Sequence, residues 1–181
     1  DYNHDGYEDL YIANGFAQDE KNEFFINQLQ QGQTINNRKF NPENITDEGQ
    51  YETNSRSVNS FDYDNDGDLD LIVTNFDSAI IFYENKSIDS YYTNNIDGNW
   101  IKIKLQGSIS NHNAIGAKVK VYPNNNLNQQ RLYHGSSYQS QSIQPIHFGL
   151  ENATLLDSIV VDWPSTPPQS YYNIDVNSTI S

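Results

Sequence analysis

The 181-residue sequence contains no cysteine and no methionine. The lack of cysteine excludes a disulfide scaffold and any metal site built from thiolates. No apolar run approaches the roughly 18 residues that a membrane-spanning helix requires, so the sequence predicts no membrane insertion. The lack of methionine leads us to expect an internal or processed fragment of a longer protein.

Basic residues are also scarce. Ten Lys and Arg stand against 24 Asp and Glu, and the formal net charge is −14. Residues 1–20 contain six acids and residues 57–85 contain seven, and neither stretch contains a Lys or Arg. This balance argues against direct binding to nucleic acid or to anionic membranes. Because the acids are concentrated in two stretches, we interpret them as local sites and not as a general surface property.

The second acidic stretch contains a nine-residue loop from Asp62 to Asp70 with carboxylates at positions 1, 3, 5, 7 and 9 and glycine at position 6. Carboxylates this close repel one another unless a cation binds among them. Calcium suits such a loop because it takes six to eight oxygen ligands at about 2.3–2.6 Å. The alternative is an acidic, solvated turn. The predicted ligands are the side chains of Asp62, Asp64, Asp66 and Asp70 and the backbone carbonyl of Asp68.

This loop differs from an EF-hand. An EF-hand has a bidentate Glu at position 12 and a helix on either side. Position 12 here is Val73, inside a short β-branched run that predicts a buried strand. The sequence therefore predicts a calcium loop that leads directly into a β-strand.

The same pattern occurs 61 residues earlier, from Asp1 to Asp9, and the residues that follow it also match. Position 3 of this loop is Asn3, whose side-chain amide oxygen can also bind calcium. A supersecondary unit repeated at this interval predicts propeller blades or a solenoid. The chain begins on an expected ligand, which again indicates a fragment. The predicted ligands of the first site are Asp1, Asn3, Asp5 and Asp9, with the backbone carbonyl of Tyr7. We expect this site to be the weaker of the two, because it has one acid fewer.

The two loops resemble FG-GAP/VCBS repeats, the calcium-loop blades of integrin-type β-propellers. The resemblance covers about the first hundred residues. It implies that each loop joins two neighbouring strands of a blade and that the metal is mainly structural.

The composition changes near residue 98. From Trp100 onward there are four acids and five bases, and the metal motif does not recur. Residues 100–105 and 116–122 alternate apolar and polar, which predicts half-buried antiparallel strands. We therefore predict an all-β chain with two domains, residues 1–98 (incomplete propeller blades) and 99–181 (a small antiparallel β-domain). We expect the second domain to fold separately and to be insensitive to calcium.

The second half resembles the ASPIC/UnbV domain. The resemblance depends on Trp100 and on five further landmarks, at residues 105–107, 110–117, 135–142, 147–150 and 161–165. Glu151 and Thr166 stand where that family often has glycine. Blades followed by this domain resemble the cartilage acidic protein family and its bacterial relatives, whose biochemical activity is poorly defined.

The remaining candidates for chemistry are the four histidines. His4 occupies an interchangeable loop position and is expected to face solvent, whereas His147 is expected to be a packed structural residue. His112 and His134 lie in polar turns without an identifiable partner. No nucleophile elbow or triad is present in the sequence, so we predict no catalytic residue.

Two hypotheses for the function follow. The first is a calcium-binding, non-enzymatic binding or adhesion module of a secreted, cell-surface or periplasmic protein, with a protein or glycan ligand. The thirteen Tyr and eight Phe could supply a sugar-stacking face, although aromatics in all-β proteins are more often core residues. The alternative is an accessory or catalytic component of a biosynthetic or glycan-processing system. An upstream catalytic domain in the full-length gene would favour the alternative.

Overall fold

The computed structural model describes residues 1–15, 21–29, 38–43, 54–87, 98–109, 111–132, 137–141 and 145–181. These residues form thirteen β-strands and no helix, which confirms the predicted all-β class. Within the same ranges, no helix has the length and hydropathy needed to cross a bilayer. The strands are β1 (Leu10–Ile12), β2 (Glu23–Leu29), β3 (Arg38–Glu43), β4 (Ser55–Phe61), β5 (Asp70–Asn75), β6 (Ile81–Tyr83), β7 (Asn99–Ile103), β8 (Lys118–Pro123), β9 (Gln129–Leu132), β10 (Ile146–Glu151), β11 (Leu155–Asp162), β12 (Gln169–Asp175) and β13 (Ser178–Ile180).

The strands form four small sheets. Their strand orders are β1-β2-β3, β4-β5-β6, β12-β11-β8-β9 and β10-β7-β13. Neighbouring strands are antiparallel except β13 and β7, which are parallel. In the second sheet Phe61 pairs with Asp70, so the second acidic loop connects two adjacent antiparallel strands directly. This is the connection that the resemblance to FG-GAP/VCBS blades implied.

The main hydrophobic core lies in the part of the chain formed by β7–β13, which we call the C-terminal half. Alternate residues of its strands point into one cluster, including Ile101, Val119, Phe148 and Ile159, each 0% exposed. Complete burial of one such side chain contributes about 1.5–3 kcal/mol. Among the described residues before β7, the buried apolar side chains are Phe24, Ile26 and Val73. The first half therefore has the smaller apolar core in the described part of the chain.

The end of β10 explains one departure from the pattern of the second resemblance. Glu151 has a φ of 51°, in the left-handed region that most side chains avoid. Glycine adopts this conformation without a Cβ penalty, which explains why the family often has glycine there.

Gly67 gives a test of how closely the two halves pack. Its φ is 106°, and an added Cβ would lie 2.0 Å from Trp100 Nε1 on β7. Gly116 has a similar φ of 93°, but an added Cβ there would lie 3.3 Å from its nearest neighbour, Pro164. Gly116→Ala is therefore expected to lower the free energy of unfolding by about 1–2 kcal/mol, mainly through backbone strain.

Gly67→Ala carries both this strain and a steric clash, so we expect it to cost about 1–3 kcal/mol more than Gly116→Ala. Urea denaturation in the presence of calcium measures both variants. If both variants lose the same free energy of unfolding, the second loop does not lie against Trp100.

Candidate metal centre

The two acidic loops fold in the same way. In each loop the carboxylate at position 1 accepts a hydrogen bond from the glycine N–H at position 6, and the carboxylate at position 9 accepts one from the N–H at position 2. Positions 4 and 6 both adopt left-handed φ angles, so the backbone folds around the carboxylates. The equivalent bonds are Gly6–Asp1 and Gly67–Asp62 at 3.0 Å, Tyr2–Asp9 at 2.6 Å and Tyr63–Asp70 at 3.0 Å, and the φ angles are 56° (His4), 64° (Asn65), 82° (Gly6) and 106° (Gly67).

The second loop brings three of its predicted ligands together. Asp62, Asp64 and Asp70 each offer a carboxylate oxygen, and these oxygens lie within 4.8 Å of one another. In the first loop Asn3 takes the place of Asp64, so the corresponding set has two carboxylates and one amide. A group of oxygens at this spacing is the kind of donor set that a hard divalent cation prefers.

Burial and like charges act on two carboxylates of the second loop, Asp66 and Asp70. Burial raises the pKa of Asp66 to about 6, and the charges of Asp68, Asp64 and Asp62 add to the rise. Burial likewise raises the pKa of Asp70. Asp66 and Asp70 therefore bind protons more strongly than isolated aspartates do, which is the behaviour expected where a cation would relieve repulsion.

The first-position carboxylates provide the test of whether these residues fit a metal. Asp1 Oδ1 and Asp62 Oδ1 are buried and have no hydrogen-bond partner. The side chains of these residues are 0% and 3% exposed, respectively. A buried carboxylate oxygen without a partner is unfavourable, and a calcium ion would satisfy it. The residues of both loops therefore fit a calcium ion.

The side chains at position 7 of the two loops contact other residues and not the candidate metal site. Asp68 is fully buried, and its Oδ1 accepts a hydrogen bond from Ser87 Oγ at 2.7 Å and lies 3.3 Å from His4 Nε2. In the first loop the guanidinium of Arg38 lies 3.5 Å from the centroid of the Tyr7 ring. Only the backbone carbonyls at this position stay as predicted ligands.

Basic residues from distant strands contact both loops, which the sequence did not indicate. Arg38, on β3, forms an ion pair with Asp5 in the first loop. Lys102, on β7, places its Nζ 2.6 Å from Asp62 Oδ2 in the second loop. The apolar–polar alternation of β7 predicted that Lys102 lies on the solvent-exposed face of the strand. That face is covered by the loop, so Lys102 is buried.

The expectation that His4 faces solvent is wrong. The side chain is 1% exposed, its Nδ1 lies 3.2 Å from the carbonyl oxygen of Gly98, and its ring centroid is 5.1 Å from that of His147. The cause is a tertiary contact, because the C-terminal half covers the first loop at this position. Asn65, at the same position of the second loop, is exposed.

His147 is a packed residue, as predicted. It is 6% exposed, and its Nε2 donates a hydrogen bond to the carbonyl oxygen of Gly67 at 3.0 Å. Burial lowers the pKa of His147 well below its ordinary value and also lowers the pKa of His4. His112 is exposed, and His134 lies outside the described residues.

Two family models match the chain. The model for FG-GAP-like repeats matches residues 1–73, a stretch that contains both acidic loops. The model for ASPIC and UnbV matches residues 107–181, which include β8–β13. No curated protein matches the chain significantly. The predicted domain boundary near residue 98 lies between the two matched stretches and stays a prediction.

These matches agree with the geometry of the loops. FG-GAP repeats are of the β-propeller type, often bind calcium and are typical of extracellular proteins. Both kinds of domain are generally non-catalytic. Residues 1–73 therefore match FG-GAP-like repeats and residues 107–181 match the ASPIC and UnbV domain, in the order that the sequence predicted.

Proposed function

We propose that this chain is a calcium-stabilised, non-enzymatic binding module of a secreted, cell-surface or periplasmic protein. The observation that carries the proposal is that two loops of the same design each bury a first-position carboxylate oxygen without a partner. Calcium would supply the missing partner and neutralise the crowded acids. The first ion would be held by Asp1, Asn3, Asp5 and Asp9, and the second by Asp62, Asp64, Asp66 and Asp70, with the carbonyls of Tyr7 and Asp68.

We infer that the metal is structural. A catalytic ion needs an open coordination position that substrate can reach, with a base or nucleophile beside it. Here one short loop supplies nearly every predicted ligand, and the first ligand of each loop is buried against the C-terminal half. Calcium is also a weaker Lewis acid than zinc, so it activates water poorly.

An exposed aromatic face next to the second loop fits the proposed binding role. Tyr63 and Phe82 are 45% and 42% exposed, and their ring centroids lie 4.9 Å apart. Phe61 contacts the same cluster at 6.2 Å from Phe82. Exposed aromatic groups of this kind form stacking surfaces for sugars and contact surfaces for proteins. The proposed ligand is therefore a protein or glycan outside the cell.

Calcium should stabilise the protein. After treatment with a chelator, adding calcium is expected to raise the melting temperature, and a site filled to 100 times its Kd contributes about 2.7 kcal/mol. Magnesium should stabilise less, because it requires strict octahedral geometry and retains its water. Asp64→Ala should lose the second loop's share of the gain, whereas Asp157→Ala, an exposed residue on β11, should keep all of it. No shift with calcium, or an equal shift with sodium, would refute the proposal.

The second loop should bind calcium more tightly than the first. It offers one carboxylate more, and in the first loop Arg38 forms an ion pair with Asp5. Calorimetry should resolve two sites, with Asp64→Ala removing the stronger and Arg38→Gln tightening the weaker. The opposite assignment, in which Asp64→Ala removes the weaker site, would contradict this order.

Calcium binding at the second loop should weaken in acid. The pKa of Asp66 is raised from 3.8 to about 6 in the folded, calcium-free protein. Below that pH calcium must displace a proton, so its affinity should fall by up to about tenfold per pH unit. In the calcium-free protein, low pH instead stabilises the fold, because the folded state binds a proton on Asp66 more strongly than the unfolded chain does. This contribution to the free energy of unfolding is lost as the pH rises through about 6.

Calcium titrations at pH 5, 6 and 7 test this dependence. Asp66→Asn should flatten it, because the amide has no proton to displace. An affinity that stays constant from pH 5 to pH 7 in the wild-type protein would exclude a role for Asp66.

A further inference from the structure

The C-terminal half donates a hydrogen bond to the first-position carboxylate of each loop. Asp62 Oδ2 accepts one from Lys102 Nζ at 2.6 Å, beside the bond from Gly67 within the loop. Asp1 Oδ2 accepts one from the backbone N–H of Gly149 at 3.0 Å. The two loops are 61 residues apart in sequence, yet the same oxygen is held from the same half of the molecule.

Further contacts fix the loops against this half. The backbone N–H of Glu151 donates to the carbonyl oxygen of His4 at 2.8 Å. At Gly6 an added Cβ would lie 2.3 Å from Leu127 Cδ2, so the side chain of Leu127 lies against the position-6 glycine of the first loop just as Trp100 does in the second. Each loop thus contacts the C-terminal half through both its backbone and its first ligand.

The donors on Oδ2 leave Oδ1 as the oxygen that faces the candidate site. Asp1 Oδ1 and Asp62 Oδ1 are both buried and have no hydrogen-bond partner. Because a carboxylate is rigid, fixing one oxygen also fixes the direction of the other. The C-terminal half therefore orients the first predicted ligand of each site.

We propose that the C-terminal half completes both calcium sites, and that Lys102 is a built-in cation that shares the Asp62 carboxylate with calcium. The inference rests on the proposed calcium binding and adds a positioning residue to it. It also replaces the expectation that residues 99–181 are insensitive to calcium, because β7, which carries Lys102, and β10, which carries Gly149, both contact the loops.

The burial of this ion pair determines the direction of the effect. The side chain of Lys102 is 8% exposed and that of Asp62 is 3% exposed. Removing the lysine leaves a buried carboxylate uncompensated, which strongly destabilises the calcium-free protein. Lys102 and calcium are both cations on one carboxylate and repel each other, so removing the lysine should also strengthen calcium binding. Lys102 thus keeps the second loop folded when calcium is absent, and it lowers the affinity of that loop for calcium.

The test compares Lys102→Met with Lys120→Met. Lys120, on β8, forms a Lys–Asp pair of the same length, 2.6 Å to Asp162, within the C-terminal half and away from the loops. Melting temperatures in chelator and in calcium, with calorimetric titration of calcium, give the readouts. Lys102→Met should melt lower in chelator and bind calcium at the second loop about tenfold more tightly or more, with the first loop unchanged. Lys120→Met should leave both affinities at the wild-type values.

Each outcome decides the proposal. A Lys102→Met protein that is unfolded in chelator and folded in calcium supports it, because calcium then replaces the missing charge. If this variant does not fold in calcium, Lys102→Gln, which keeps a hydrogen-bond donor, takes its place, and failure of both variants to fold in calcium overturns the inference. An unchanged or weaker second-loop affinity overturns the inference alone, provided that the wild type binds calcium. A wild type that binds no calcium overturns both this inference and the proposed function.

Discussion

Repulsion among carboxylates that lie within nine residues of one another is the constraint on which the rest of the structure depends. The chain counters it with three kinds of partner. Backbone N–H groups inside each loop bind one oxygen of the carboxylates at positions 1 and 9. Bases from distant strands form ion pairs with acids of both loops: Arg38 with Asp5 and Arg131 with Glu8 in the first, and Lys102 with Asp62 in the second. The first-position oxygens that still lack a partner, Asp1 Oδ1 and Asp62 Oδ1, are those we assign to calcium.

The same constraint explains how the two halves of the molecule are attached. In the described part of the chain, the first half buries few apolar side chains, whereas the C-terminal half has a continuous apolar core. The contacts between them are mainly polar and centre on the loops, through residues such as Lys102, His147 and Gly149. Polar contacts of this kind are strong only when every group has its partner. Whether the polar groups of the loops have their partners therefore affects the stability of both halves.

The sequence predicted what depends on local chemistry. The loop pattern, its repetition and the strand after each loop follow from residue type and spacing, and the structure contains them. The sequence did not predict the surroundings of the loops, because these depend on strands far away along the chain. The polar positions of β7 alternate with apolar ones, a pattern typical of a solvent face, yet Lys102 is buried by the second loop. His4 and Asn65 occupy equivalent loop positions, but His4 is buried by tertiary contacts, among them those with Gly98 and His147.

The parallel pair β7–β13 has a mechanical consequence. β13 lies beside β7 in the same direction, with Ser178 opposite Ile101 and Ile180 opposite Ile103. Bonds from Lys104 to Ile180 and from Asn177 to Trp100 extend the ladder at both ends. A pulling force applied between the start of β7 and the end of β13 would load all of these bonds at once, in shear, and would not peel them one by one. Because β7 also carries Lys102, we expect tension on this half to reach the second loop only after that shear ladder breaks.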